Sequence, residues 1–167
     1  SFNADEVFEM GMDVERNGEA YYRKAAELAG DPEVREVFEY LATEEKKHRE
    51  TFRQMRESLS GETTSPTVID SEGLNEAYLD ALVRSRLFND EYEAEKAAEQ
   101  AKDPVSALNN ALTFEKDTIL FFQTMKGVTS KELGADKIEM LIDEERLHII
   151  RISEEIKKYR ARSGGGG

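Results

Sequence analysis

Apolar residues near the start of the chain recur at three- and four-residue intervals: Val7, Phe8, Met10, Gly11, Val14, Tyr21, Tyr22, Ala25 and Leu28. This spacing lays a stripe along one face of an α-helix and predicts a first helix from about Ala4 to Ala29. Gly30-Asp31-Pro32-Glu33 then stops one helix and starts another, since Asp31 can cap free N–H groups and Pro32 is tolerated in a first turn. The second stripe runs through Val34, Val37, Phe38, Leu41, Phe52, Met55 and Leu59, and Glu45 and His48 fall within it. Ser60 to Ser71 reads as a loop. Glu72 to Phe88 and Tyr92 to Ala101 carry shorter helical patterns, so Gly61 to Lys102 is expected to be a helical crossover. Asp103-Pro104 repeats the cap-and-proline signal and opens a third long helix through Val105, Leu108, Ala111, Leu112, Ile119, Phe122 and Met125, with Gly127 as its expected stop. The fourth is expected from near Ser130 to about Arg160, with Gly134 loosening its first turn. The pattern predicts an all-α fold: a four-helix bundle with a helical crossover between the second and third long helices. Residues 1–162 are assigned to the bundle and 163–167 to a flexible Gly-rich tail.

The chain also repeats itself at an offset of one hundred. Glu44-Glu45-Lys46-Lys47-His48 answers Glu144-Glu145-Arg146-Leu147-His148, and these stretches hold its 2 histidines. Thirty residues upstream of each, Glu15 corresponds to Glu115 and Tyr21-Tyr22 to Phe121-Phe122, with Glu39/Glu139 and Leu41/Leu141 matching between. Two copies of a helical hairpin account for this. If each turn lies midway between its lone glutamate and its Glu-x-x-His, both come to the same height; the midpoints are Gly30 and Ser130.

Composition narrows the chemistry. A length of 167 residues is enough to bury a sizeable core in one domain. No run of about eighteen apolar residues exists to span a membrane. A net charge of −13 disfavours nucleic acid and anionic lipid and favours divalent cations, although simple solubility is the plainer account of it. With 0 cysteines there is no disulfide, zinc ribbon or thiol catalysis. No signal-peptide pattern is visible, and cytoplasm is the expected compartment.

Each long helix therefore brings one motif near mid-length: Glu15, Glu45 with His48, Glu115, and Glu145 with His148. Glutamate and histidine three residues apart leave a helix on the same face and can grip one ion. A glutamate from each of two helices and Glu-x-x-His from each of the others is the donor set of carboxylate-bridged dimetal sites. Four carboxylates offset the charge of two divalent ions, and hard oxygen donors favour iron or manganese. Two other accounts stay open: polar residues that pair only with one another, and a zinc site without redox chemistry. Glu19 could replace Glu15 as a ligand, but its repeat partner is Ile119, which favours a surface or supporting role. Tyr22 could hydrogen-bond a ligand carboxylate, though core packing is the preferred reading, and its counterpart Phe122 has no hydroxyl. The 5 methionines read as core filling.

The phrases Glu15-x-x-Gly18-x-x-Tyr21-Tyr22, Leu41-Ala42-x-Glu44-Glu45-x-x-His48 and Glu115-x-x-x-x-x-Phe121-Phe122 resemble the rubrerythrin-type members of the ferritin-like superfamily, from Ala4 to Arg160. The resemblance implies a ferritin-like bundle holding two iron ions, with manganese or zinc as substitutes. It implies that Glu45 and Glu145 bridge the metals, that Glu15 and Glu115 are terminal carboxylates, and that His48 and His148 each bind one metal. The chain departs from the family in lacking a Cys-x-x-Cys rubredoxin module and in carrying Leu112 and Thr118 beside Glu115, where those proteins have a further glutamate. The implied function is an oxidoreductase reacting with peroxide or oxygen, supplied by a separate electron-donor protein and assembled as a homodimer or higher homo-oligomer. A ferroxidase or iron-storage protein, or a structural dimetal protein, are the alternatives.

Overall fold

The computed structural model describes residues 3–59, 73–85 and 87–164, without the side chain of residue 85. The expected loop from Ser60 to Ser71 and the last residues of the glycine tail lie outside the described residues. Those described form helices α1 (Ala4–Leu28), α2 (Pro32–Glu57), α3 (Leu74–Ser85), α4 (Glu91–Gln100), α5 (Pro104–Val128) and α6 (Ala135–Arg162), with no strand among them.

The helix starts follow the cap chemistry. Asn3 and Glu6 form a reciprocal capping box on α1. Asp31 accepts from the backbone N–H groups of Glu33 and Val34 at 3.0 Å each, ahead of Pro32 in α2. Asp90 and Asp103 cap α4 and α5 in the same way, through Glu93 and Ser106. Each aspartate satisfies donors that the helix itself leaves free.

Three boundaries depart from expectation. α5 runs through Gly127 to Val128. α6 begins at Ala135 rather than near Ser130, because Ser130 to Gly134 is taken up by turns in which the N–H groups of Leu133 and Ala135 both reach the Ser130 carbonyl. Gly134 has φ 114°, a state that side-chain-bearing residues rarely adopt, so it separates the turn from the helix instead of loosening it. α3 also stops at Ser85, short of the expected Phe88, and the Leu87 N–H closes on the Leu82 carbonyl.

α1 packs chiefly on α2 and α5 on α6, so the two hairpins are the main packing units, with α2 against α6 and α1 against α5 joining them. The expected turn residues Gly30 and Ser130 both fall in the connections. α4 lies along α1 and α3 touches α5. Phe88, between α3 and α4, pins this crossover: its ring stacks on Tyr21 (5.5 Å) and Phe114 (5.3 Å), and its carbonyl accepts from Asn17 at 3.0 Å. The core is built from the inward stripes, with Phe8, Tyr21, Tyr22, Phe38, Phe52, Phe121 and Phe122 fully buried. At one end Arg162 ties α6 to α2 through Asp31 (2.8 Å) and Glu33 (2.9 Å).

Candidate metal centre

Glu15, Glu45, Glu115 and Glu145 are each 0% exposed, and His48 and His148 are 1% and 2% exposed. A carboxylate is rarely buried without a partner, so four in one core need an explanation. They arrive there because each occupies a core-facing position of its amphipathic helix, and the hairpin turns set all four helices at matching height.

The donors fall into two overlapping groups. Glu15, Glu45, His48 and Glu145 place one ligand atom each within 4.8 Å of one another, and so do Glu45, Glu115, Glu145 and His148. Glu45 and Glu145 belong to both of these groups, and a third set brings Glu44 within the same distance of His48 and His148. His48 turns Nδ1 inward, 2.9 Å from Glu145 and 3.6 Å from Glu15. His148 does likewise, with Nδ1 3.4 Å from Glu145 and 3.8 Å from Glu115. The two imidazoles stack nearly parallel with centroids 5.6 Å apart. All six residues expected as ligands are thus brought together.

Their hydrogen bonding shows what the cluster lacks. Both carboxylate oxygens of Glu15, Glu45 and Glu145, Oε2 of Glu115 and Nδ1 of both histidines are buried without a hydrogen-bond partner. Buried polar atoms in folded proteins are seldom left so, and here the unsatisfied atoms face one another. With protein groups alone, burial pushes Glu15 up to about 7 even though His48 pulls the other way. Burial acts to lower His48, but Glu15, Glu144 and Glu145 around it hold it protonated well above the usual histidine range. Burial would raise Glu145 too, yet the two imidazoles beside it, with Nδ1 of His148 at 3.4 Å and of His48 at 2.9 Å, keep it low. Two hard divalent cations would satisfy the donors and offset the four negative charges, so the residues fit a dimetal centre.

Surrounding side chains hold the donors in place. The Tyr22 hydroxyl donates to Oε1 of Glu115 at 2.5 Å. Burial first, then the nearby carboxylates Glu145 and Glu15, raises the Tyr22 hydroxyl well above its ordinary range, which keeps it a donor. Tyr22 therefore both packs in the core and bonds a candidate ligand, the reading the sequence placed second to packing; its spacing from Glu15 carries no sign that the acceptor comes from α5. Gly18 is small for a reason: a Cβ there would lie 2.7 Å from two Phe114 ring atoms and 3.1 Å from Oε2 of Glu45. Glu19 does not join the cluster. It pairs with Arg49 (2.5 Å) and Arg23 (2.6 Å), and these bonds lower its carboxyl although burial acts to raise it. A surface concavity of about 1230 Å³ between α1, α2 and α4 includes that ion pair but none of the six donors.

Two residues went unremarked in the sequence. Glu144 of α6 contacts Nε2 of His48 on α2 at 2.6 Å, bridging the hairpins. Its only signal was the repeated Glu-Glu doublet. Tyr40 meets His148 edge-on at 6.0 Å and carries the Arg151 guanidinium over its ring at 4.0 Å; nothing in its spacing marked it.

Among known proteins, a family model described as Rubrerythrin matches residues 3–104. No curated protein matches the chain. A solved structure from Thermotoga maritima, described as a ferritin-like diiron-carboxylate protein, superposes with a TM-score of 0.67 at 20% identity, covering 95% of this chain and 97% of that one. At that identity the likeness speaks to the fold, and it extends over the second hairpin, which the family match leaves out. No described helix is long and apolar enough to cross a membrane.

Proposed function

This chain belongs to the rubrerythrin family, and from that premise we propose that it is a di-iron carboxylate oxidoreductase consuming peroxide or oxygen. The observation that carries the reading is the pair of overlapping donor groups sharing Glu45 and Glu145, with their inward atoms buried and unpaired. In this reading Glu45 and Glu145, which belong to both donor groups, would be shared between the irons, Glu15 and Glu115 would each serve one of them, and His48 and His148 would each hold one. Manganese or zinc can occupy the same donors. When bound, a pair of irons supplies two electrons to one O–O bond.

The chain's own residues do the rest. The carboxylates favour the higher oxidation state by their charge, and the apolar helix faces keep bulk water from the donors. Tyr22 fixes the orientation of Glu115. Gly18 leaves room beside Glu45, whose oxygen must reach both positions. Electrons come from a donor protein in this scheme, since these 167 residues hold 0 cysteines to bind a rubredoxin iron of their own. The same absence is compatible with the cytoplasm, and assembly into a homodimer belongs to this proposal.

The test is to load the protein with ferrous iron under anaerobic conditions, add one equivalent of peroxide, and separately oxygen. Rapid oxidation that a reductant reverses over many cycles supports catalysis. Many ferrous ions oxidised and retained per chain would make it an iron-storage protein instead. An iron spectrum that neither oxidant changes would leave a structural metal site.

A further inference from the structure

The repeat makes the two donor groups alike, but their supports differ. His48 has the Glu144 carboxylate on Nε2 at 2.6 Å. Glu44, the repeat counterpart of Glu144, has an oxygen within 4.8 Å of a His148 nitrogen but accepts from Lys47 at 3.1 Å, and His148 instead meets the edge of the Tyr40 ring at 6.0 Å, with the Arg151 cation above that ring. The carboxylates differ in the same sense. Glu115 shares Oε1 with the Tyr22 hydroxyl, whereas both oxygens of Glu15 are buried and unpaired, since the residue matching Tyr22 is Phe122.

These differences act in one direction. A carboxylate accepting the outer N–H of a metal-bound imidazole orients the ring and strengthens its inner nitrogen as a donor, an effect of about 10–100-fold in metal affinity. A carboxylate that already accepts a hydrogen bond has less charge to offer an ion. The position at Glu15 and His48 thus has the reinforced imidazole and the uncommitted carboxylate, and the position at Glu115 and His148 has neither.

We propose that the two metal positions are unequal: the one at Glu15 and His48 fills first and holds its ion, and the one at Glu115 and His148 is the exchangeable position. Glu144 is the positioning residue that sets the difference. The inference rests on the dimetal reading above, and the mechanism needs no oxidant or reductant, only divalent cation binding.

Location of the first ion tests it better than stepwise affinities, because any first ion weakens the second by neutralising shared charge. Metal-free protein given one equivalent of Mn(II) and crystallised should show an anomalous peak beside His48 stronger than the peak beside His148 by about tenfold or more. Glu144→Ala should bring the two peaks toward equality. Glu144→Gln, whose amide oxygen still accepts from Nε2, should retain most of the wild-type ratio, and circular dichroism identical to wild type confirms the fold of each variant. Equal peaks in wild type, or a ratio unchanged in Glu144→Ala, overturn the proposal. No manganese at either position, with excess Mn(II) and Fe(II) also failing to bind, overturns the dimetal reading itself and is distinguishable from both.

Discussion

Replacing Tyr22 by phenylalanine removes one oxygen and little else. The ring packs at 6.2 Å from Phe38 and edge-on at 6.2 Å from Phe114 and 5.5 Å from Tyr21, contacts a phenylalanine preserves. What disappears is the donor to Oε1 of Glu115, and since both residues are 0% exposed no water can take its place. A hydrogen bond to a charged group contributes about 1.5–3 kcal/mol. In a domain of this size each kcal/mol moves the melting temperature by roughly 2–4 °C, so the metal-free variant should melt roughly 3–12 °C below wild type. Tyr21→Phe is the internal control: its hydroxyl bonds a neutral carbonyl, that of Ala107, at 2.6 Å. The control should cost about 0.5–1.5 kcal/mol. Thermal melts followed by circular dichroism in the presence of chelator make the measurement. The reasoning fails if Tyr22→Phe melts within about 1 °C of wild type or loses less than Tyr21→Phe.

Other outcomes follow from the same geometry. Metal at one hundred times its dissociation constant should stabilise the fold by about 2.7 kcal/mol per site, and a melt unmoved by ferrous or manganous ion would contradict the dimetal reading. Gly18→Ala gains helix propensity worth about 1 kcal/mol but drives a methyl into Phe114 at a cost of about 1–3 kcal/mol; a net loss is expected from the urea midpoint, and a stabilised variant refutes the close approach. Glu19 has a lowered carboxyl in the folded protein, so its contribution is present above its unfolded value of about 4.5 and lost as pH falls through the lower folded value. Glu19→Gln should therefore be less stable than wild type at pH 7, with the gap closing in acid, and a gap that is constant with pH would rule the ion pairs out as its source.

The bundle and the six donors were legible because each is written in local spacing. Apolar stripes, aspartate caps and a duplicated Glu-x-x-His need no knowledge of what lies across the core. What was not legible depends on partners distant in sequence. Tyr22 finds its acceptor on α5, 93 residues away, and Glu144 finds His48 at a separation of 96. Neither offset has a periodicity to reveal it. α6 starts later than its pattern predicts because the left-handed backbone of Gly134 ends the preceding turn, which low helix propensity alone does not reveal. Phe88 shows the same limit: as the last residue of an expected helix it looked unimportant, yet it anchors the crossover on Tyr21 and Phe114.

The sharing of Glu45 and Glu145 between the two donor groups has a kinetic consequence. Helices α1 and α2, and α5 and α6, find each other over short connections, so each hairpin can form from contacts close in sequence. Neither hairpin holds a full donor group: the first needs Glu145, the second needs Glu45. An ion can be fully ligated only after the halves have docked, and we expect that step on the native side of the barrier. Interactions made on the native side of a barrier slow escape from the native state and leave the approach to it unchanged. Metal should therefore lengthen the lifetime of the folded protein without hastening its formation, flattening the unfolding limb of a denaturant chevron while the refolding limb stays where it is.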